Sequence, residues 1–157
     1  MAVAIGQTAP DFTLKDQYDK DVKLSDFTRK KNVVLMFYPL DWSPTCTKEH
    51  ACFVNDMKKF ETLDAEVLGV SVDSAWSHKA YADKMGIKYS LLADFNPRGA
   101  MADKYGAYLP EKGITARTII IVNKDGKVAW MKNYDIPVVP DVAEVASALQ
   151  QVKSATA

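Results

Sequence analysis

The chain contains two cysteines, and Cys46 stands where a cysteine can act as a nucleophile. Ser43 followed by Pro44 is typical of a helix start, with serine as the N-cap and proline at the first helical position. Cys46 then falls in the first helical turn, where free backbone N–H groups and the positive end of the helix dipole stabilise an anion. Because the thiolate is the reactive form of cysteine, this spacing predicts a reactive thiol at Cys46. The alternative is a small buried apolar residue, which free cysteine most often is.

The second cysteine, Cys52, lies six residues after Cys46, on what the pattern predicts to be the same helix. Six residues rise about 9 Å and turn through about 600°, so the two side chains point in different directions. A disulfide needs Cα atoms within about 7 Å of each other, and an intact helix therefore cannot form this bond. Cys52 is either a resolving cysteine that acts after local unwinding or a helix residue beside the apolar stripe.

The elements that position these residues follow from hydrophobic patterning. The apolar run over 33–38 predicts a central strand buried on both faces, and Pro39 ends it. Asp125 and Gly126 predict a turn at 123–126 that joins two strands as a hairpin. The other predicted elements are extended pieces within 10–24, helices over 44–63, 75–85, 97–105 and 142–152, strands over 66–72, 90–93, 118–122 and 128–132, and a frayed tail over 154–157.

The order of these elements predicts the fold class. Strand, helix, strand and helix followed by an antiparallel hairpin and a last helix indicate an α/β thioredoxin-like fold, in which helices flank a central mixed β-sheet. The chain contains no internal repeat, linker or low-complexity segment. We therefore expect a single domain over 1–157.

Composition narrows the function class. The 157 residues include 20 basic and 20 acidic side chains, evenly mixed, which argues against nonspecific binding of nucleic acid or of a membrane surface. No run approaches the roughly 20 apolar residues of a membrane span, and residues 1–6 lack the basic start of a secretory signal, so we expect a cytoplasmic protein. His50 and His78 have no spaced partners, and neither a metal nor another cofactor is expected.

The loop around Cys46 has a recognisable pattern. Pro39, Ser43 and Cys46 form Pro-x-x-x-Ser-x-x-Cys, which resembles the active-site signature of peroxiredoxins, although most members have threonine at the hydroxyl position. The resemblance continues in Gly6-x-x-Ala9-Pro10-Asp11-Phe12-x-Leu14, in Gly69-Val70-Ser71-Val72-Asp73 and in Gly113-Ile114-x-x-Arg117.

The resemblance implies a role for each residue of the site. Cys46 would be the peroxidatic nucleophile, which attacks a peroxide oxygen and becomes a sulfenic acid. The hydroxyl of Ser43, the guanidinium of Arg117 and backbone N–H groups of the Cys46 turn would stabilise the charge that moves to the leaving oxygen. Pro39 would shield the thiolate, and Glu49 would orient the arginine. Without the resemblance, Ser43 could be only a cap, Glu49 an exposed helical carboxylate and Arg117 a surface strand residue.

Two branches of the family are compatible with the chain. The peroxiredoxin Q branch, also called bacterioferritin comigratory proteins, often has a resolving cysteine five positions after the peroxidatic one, whereas the spacing to Cys52 is six. The segment 92–100 followed by 105–106 resembles the one-cysteine AhpE-like branch instead. The resemblance also implies hydrogen peroxide and organic hydroperoxides as substrates, thioredoxin, glutaredoxin or a low-molecular-weight thiol as reductant, and a homodimer or monomer with contacts at Trp42 and 95–98.

Two other function classes compete with a peroxidase. A thioredoxin-like disulfide reductase needs Cys-x-x-Cys at the helix start, and Ser43 stands where the first thiol would be, which leaves only monothiol exchange open. A redox-sensing or chaperone-like binding protein is the second alternative. Peroxide consumption, insulin reduction and the effect of Cys46→Ser distinguish the three.

Overall fold

A seven-stranded mixed sheet lies at the centre of the computed structural model, which describes the backbone of residues 3–156 and the side chains of 3–152. The strands of this sheet are β1 (Thr13–Lys15), β2 (Asp21–Lys23), β3 (Asn32–Phe37), β4 (Ala65–Ser71), β5 (Ser90–Ala93), β8 (Arg117–Val122) and β9 (Val128–Tyr134). A separate two-stranded sheet consists of β6 (Tyr108–Leu109) and β7 (Ile114–Thr115). The α-helices are α1 (Pro44–Asn55), α2 (Met57–Thr62), α3 (Ala75–Met85), α4 (Ala100–Lys104) and α5 (Val142–Thr156), and Leu24–Phe27 forms a 3-10 helix.

The sheet has the strand order β2-β1-β5-β4-β3-β8-β9. Its centre is parallel, because β4 pairs in parallel with both β3 and β5. The pairs β3–β8, β8–β9, β1–β5 and β1–β2 are antiparallel. This arrangement confirms the predicted mixed sheet with helices on its faces.

Strand β3 shows how the two faces of the sheet are filled. Every residue of β3 is buried, as the continuous apolar run predicts. Val34 and Met36 point into a cluster formed with α1, α3 and α5. Leu35 and Phe37 point the other way, into a cluster that includes residues of α4 and of the N-terminal segment. The carboxyl end of β3 therefore leads directly to the amino end of α1, where the candidate site lies.

Three predicted boundaries were wrong. The helix predicted over 44–63 is two helices, since at Asp56 the backbone leaves the helical conformation and its N–H is shared between two carbonyls. The helix predicted over 97–105 begins only after Gly99, whose φ of +74° lies in the left-handed region. The last helix continues beyond 152 to residue 156 rather than fraying, and residues 1, 2 and 157 lie outside the described part of the chain.

The remaining elements are close to the predicted ones. The hairpin turn is present, with the Gly126 N–H donating to the Asn123 carbonyl and the Asn123 N–H to the Lys127 carbonyl. The two-stranded sheet β6–β7 was not predicted, because each strand has only two residues and no alternating pattern. None of the helices in the described residues is long and apolar enough to cross a membrane.

Candidate active site

Cys46 lies in the first turn of α1, and its side chain is fully buried. Ser43 is the N-cap, and its hydroxyl oxygen accepts a hydrogen bond from the Cys46 N–H at 3.4 Å. Pro44 occupies the first helical position, where it lacks only an N–H that would have no partner within the helix. The Thr45 N–H lies in the same turn, where α-helical N–H groups have no acceptor inside the helix. The predicted helix start is confirmed, and the thiol faces the positive end of α1.

Arg117 connects two side chains of α1, Cys46 and Glu49, with the segment that follows β9. It is the first residue of β8 and is buried, so the surface-strand alternative is excluded. Its Nη2 donates to Cys46 Sγ at 3.3 Å, and its Nη1 donates to Glu49 Oε1 at 2.6 Å. Its Nε donates to the carbonyl of Ile136 at 2.9 Å. The planar guanidinium thus donates to three acceptors at once and places its own positive charge next to the sulfur.

Glu49 lies on the same face of α1 as Cys46 and is fully buried, which excludes an exposed helical carboxylate. Burial raises the pKa of Glu49 to about 7, against the attraction and the hydrogen bond of Arg117, which lower it. Oε1 accepts from the guanidinium, whereas no protein group in the described residues donates to Oε2. This carboxyl group therefore titrates close to neutral pH beside the Cys46 sulfur.

The loop between β3 and α1 is held by Asp41. Pro39 is buried, as expected for a residue that covers the site. The Asp41 side chain accepts hydrogen bonds from the Tyr38 hydroxyl at 2.6 Å and from the Ser77 hydroxyl at 2.8 Å. The next residue, Trp42, has a φ of +72°, a strained value for a residue with a side chain. The bonds to Asp41 hold the loop in this conformation and so place Ser43 at the helix start.

His78 completes this buried network. Its Nε2 lies 3.0 Å from the carbonyl of Leu92, which can only accept, so Nε2 carries a hydrogen. Its Nδ1 lies 2.8 Å from Asp41 Oδ2, so that one proton is shared across this contact. Burial alone would raise the pKa of Asp41, but the hydrogen bond and charge of His78, with bonds from Tyr38 and Ser77, hold it below its ordinary value. Asp41 is therefore a carboxylate that the imidazole and two hydroxyl groups hold in place.

Asp41 and His78, together with Asp73, form the group of possible metal ligands that is found among the described residues. Ligand atoms of Asp41, Asp73 and His78 lie within 4.8 Å of one another. Asp73 Oδ2 already accepts from the Asp41 N–H at 2.8 Å and from the Ser71 hydroxyl at 2.6 Å. Since hydrogen bonds account for these short distances, the cluster is explained as the anchor of the loop.

A second buried histidine lies on α1 between the two cysteines. His50 Nδ1 is 2.5 Å from the Tyr89 hydroxyl, and its Nε2 has no protein partner in the described residues. The ring stands edge-to-face on Tyr38 with centroids 4.4 Å apart and on Tyr81 with centroids 5.5 Å apart. Burial lowers the pKa of His50 to about 3, so the imidazole is neutral at physiological pH.

Cys52 lies apart from this site. It is half-buried in the same unbroken helix as Cys46, and both thiols are free. It borders a surface cavity of about 310 Å³ formed with Asp56 and with residues 140–143 at the start of α5. The structure therefore brings Ser43, Arg117 and Glu49 to Cys46 but leaves Cys52 separated from it along the helix axis.

Sequence reasoning missed the residues that support the loop and the helix. Both histidines were interpreted as lone residues, because their partners Asp41 and Tyr89 are 37 and 39 positions away in the chain. Tyr81 was also missed; its hydroxyl lies 3.1 Å from Thr47 Oγ1. No short spacing marks such contacts, although Asp41, two residues after Pro39, and His78 in the predicted helix over 75–85 are visible in the sequence.

Comparison with known proteins places this geometry in a family. The profile of the AhpC/TSA family matches residues 5–131. Alkyl hydroperoxide reductase E of Mycobacterium tuberculosis is 37% identical over 126 residues, which cover 80% of this chain and 82% of the relative. Chloroplastic peroxiredoxin Q of Sedum lineare is 36% identical over 156 residues, which cover 96% of this chain and 80% of the relative. Both branches expected from the sequence are thus represented among its relatives.

A solved structure agrees with the sequence comparison. The crystal structure of Enterococcus faecalis AhpC superposes with a TM-score of 0.89 at 29% identity and covers 99% of this chain and 95% of that chain. Fold and sequence thus agree along most of the chain. The chain belongs to the AhpC/TSA family, the peroxiredoxins, and is a thiol-dependent peroxidase that reduces peroxides through cysteine.

Proposed function

We propose that Cys46 is the peroxidatic residue and that the positively charged Arg117 guanidinium beside its sulfur makes the reaction possible. The observation behind this assignment is the 3.3 Å contact from Arg117 Nη2 to Cys46 Sγ at the start of α1. The helix start and the guanidinium both stabilise negative charge on the sulfur. The Cys46 thiolate attacks one peroxide oxygen, an S–O bond forms and the O–O bond breaks. The sulfur is oxidised by two electrons, and the leaving oxygen takes a proton and departs as water or an alcohol.

Four neighbours support this reaction in the proposal. Negative charge moves from the sulfur to the leaving oxygen, and donors that are already oriented along that path lower the barrier. Arg117 supplies one such donor. The Ser43 hydroxyl accepts a hydrogen bond from the Cys46 N–H, so its own hydrogen is available to donate to the peroxide. Glu49 fixes the guanidinium through the 2.6 Å ion pair, and the buried Pro39 keeps water from the thiolate.

Hydrogen peroxide and organic hydroperoxides are the proposed substrates. The printed name of the mycobacterial relative, alkyl hydroperoxide reductase E, supports the organic class for this chain. The Cys46 side chain is fully buried, so the substrate has to bring a small peroxide group to the sulfur. Measured rate constants for hydrogen peroxide, a tertiary alkyl hydroperoxide and a fatty-acid hydroperoxide would rank the two classes.

Peroxiredoxins use thiol reductants. For this chain the proposal extends to the class of reductant, the cellular compartment and the oligomeric state. Thioredoxin, glutaredoxin or a low-molecular-weight thiol would reduce the Cys46 sulfenic acid in the cytoplasm. The proposed homodimer uses Trp42 and 95–98, and support comes from Trp42 and Phe95, which expose 53% and 52% of their surface. Turnover with each reductant, cell fractionation, and sedimentation of Trp42→Glu against wild type test these three points separately.

The central experiment compares Cys46→Ser with Cys52→Ser in a peroxide-consumption assay. We expect Cys46→Ser to abolish consumption, because no other thiol lies at a helix start beside a buried arginine in the described residues. Cys52→Ser is the matched control and is expected to form the sulfenic acid at the wild-type rate. Unchanged consumption by Cys46→Ser would overturn the assignment. Insulin reduction by wild type without peroxide consumption would favour the disulfide reductase.

A further inference from the structure

We propose that the hydrogen bond between His50 and Tyr89 is a pin that keeps α1 folded, so that the Cys46 sulfenic acid is reduced in place by an external thiol instead of pairing with Cys52. The inference rests on the proposed function of Cys46 and names the route by which its oxidised form is reduced. His50 and Tyr89 are positioning residues in this scheme, since neither touches the sulfur or the peroxide.

The reaction that the pin prevents is the formation of a disulfide between Cys46 and Cys52. The thiol of Cys52 would attack the sulfur of the Cys46 sulfenic acid. An S–S bond would form, the S–O bond would break, and the hydroxyl group would leave as water with the proton of the thiol. The two Cα atoms would have to come within about 7 Å, whereas an intact helix separates them by about 9 Å along its axis. The helix must therefore unwind between the two cysteines.

Side chains within that segment tie α1 to the rest of the molecule. Three of its residues bond to three different elements, and all of them lie after Cys46 and before Cys52 in the chain. The bonds are Thr47 Oγ1 to the Tyr81 hydroxyl of α3, Glu49 Oε1 to Arg117 of β8, and His50 Nδ1 to the Tyr89 hydroxyl just before β5. Unwinding this segment breaks contacts with three elements at once.

The surroundings of His50 make its contact with Tyr89 costly to break. Its ring is fully buried and contacts the rings of Tyr38, Tyr81 and Tyr89. Gly69 of β4 lies against the same cluster, where a Cβ would lie 2.8 Å from Leu91 Cδ2 and 3.3 Å from Tyr38 Cε1. Extracting the ring would leave a cavity lined by tyrosines and an unpaired buried hydroxyl.

The His50 pin can be tested apart from catalysis. The Glu49 bond belongs to the site itself, so removing it changes the reactivity of Cys46 together with the helix. The Tyr89 hydroxyl, in contrast, bonds only to His50 among the described residues. Tyr89→Phe keeps the ring and its packing and removes only the pin.

The experiment treats reduced protein with one equivalent of hydrogen peroxide without an external thiol, then blocks free thiols and measures the products by mass spectrometry. We expect wild type to hold a Cys46 sulfenic acid that a dimedone-type reagent traps. Loss of one buried hydrogen bond shifts an opening equilibrium roughly tenfold, so Tyr89→Phe should form the Cys46–Cys52 disulfide roughly tenfold faster. The double variant Tyr89→Phe/Cys52→Ser keeps only Cys46 and should hold the sulfenic acid as long as wild type does; loss of the sulfenic acid in that variant as fast as in Tyr89→Phe would overturn the proposal.

Tyr105→Phe is the matched control. Its hydroxyl is also lost from a buried tyrosine, but that hydroxyl donates to the Pro10 carbonyl, and the ring packs on the other face of the sheet. We expect Tyr105→Phe to behave as wild type in disulfide formation. If Tyr89→Phe does not fold, Thr47→Val removes the neighbouring bond to Tyr81 and is expected to change the disulfide rate in the same direction.

The outcomes separate this inference from the proposed function. If no variant forms a sulfenic acid at Cys46, the proposed function fails and the pin fails with it. If Cys46 is oxidised in every protein but the disulfide rate is the same in wild type, Tyr89→Phe and Tyr105→Phe, only the pin is refuted. Rapid formation of the Cys46–Cys52 disulfide in wild type would also refute it.

Discussion

Replacing Arg117 with lysine keeps a positive charge at the site but removes the planar group that distributes it. The guanidinium donates in three directions, to Cys46 Sγ at 3.3 Å, to Glu49 Oε1 at 2.6 Å and to the Ile136 carbonyl at 2.9 Å. Lysine has a single nitrogen on a flexible stem, and it cannot meet three acceptors arranged around a plane. We expect its ammonium group to pair with Glu49, whose carboxylate is the strongest acceptor, and to leave the sulfur without a donor.

The size of the effect follows from the contact that is lost. A hydrogen bond to a charged group contributes about 1.5–3 kcal/mol, which corresponds to a change of about 10-fold to 150-fold in rate when the bond matters in the transition state. Removing one oriented donor from a site that stabilises developing negative charge typically costs about 100-fold to 1000-fold. The two ranges overlap near 100-fold, which is the decrease we predict for the reaction of Cys46 with hydrogen peroxide in Arg117→Lys.

The assay is a single-turnover, stopped-flow measurement of Cys46 oxidation by hydrogen peroxide without a reductant. Arg29→Lys is the matched control, because Arg29 is exposed and lies before β3, outside both the site and the proposed dimer contact. Thermal unfolding of both variants checks that the fold is retained. Equal rate constants for Arg117→Lys and Arg29→Lys would refute the reasoning that the guanidinium stabilises the reacting sulfur and oxygen atoms.

Three further predictions concern the groups around the site. Ser43→Ala removes the acceptor for the Cys46 N–H and should lower the free energy of unfolding by about 1 kcal/mol in urea, whereas Ser43→Thr should restore it. Burial raises the pKa of Glu49 in the folded protein to about 7 from 4.5, so its contribution to stability is present below pH 4.5 and is lost as the pH rises through about 7. Glu49→Gln should therefore gain stability relative to wild type between about pH 5 and about pH 8 in urea unfolding, and a difference that does not change with pH would contradict the raised pKa. Asp41→Asn removes a buried carboxylate that accepts from Tyr38 and Ser77 and contacts His78, and it should cost about 1.5–3 kcal/mol of unfolding free energy; a cost below about 0.5 kcal/mol would show that this carboxylate does not hold the loop.

Local signals in the sequence were enough to locate the helix start that carries Cys46. Ser43, Pro44 and the spacing to Cys46 specify a helix start within four residues, and the apolar run before them specifies the buried strand that leads to it. Such signals depend only on neighbouring residues, since caps and strand burial are decided within one or two turns of chain. Arg117 is different, because it lies 71 positions from Cys46 and only the resemblance to the family connected the two.

The supporting contacts could not be predicted, because they depend on how elements far apart in the chain pack together. The pairing of β3 with β4 and β8 brings His78 and Arg117 toward the same end of the sheet. The break at Asp56 had the same cause: the apolar stripe continues through it, and only the packing of α2 against β4 shows where α1 ends. Periodicity reports which face of an element is buried but not which buried groups meet.

The charges of the site explain why a buried glutamate accompanies the buried arginine. Arg117 faces two acceptors that can be negative, the Cys46 sulfur and Glu49. When the thiolate becomes a neutral sulfenic acid, one of these negative charges disappears during the reaction. A buried guanidinium without a partner would then be strongly destabilising, and the ion pair with Glu49 avoids this. In the proposed cycle the Glu49 carboxylate thus compensates the arginine once the Cys46 sulfur is neutral.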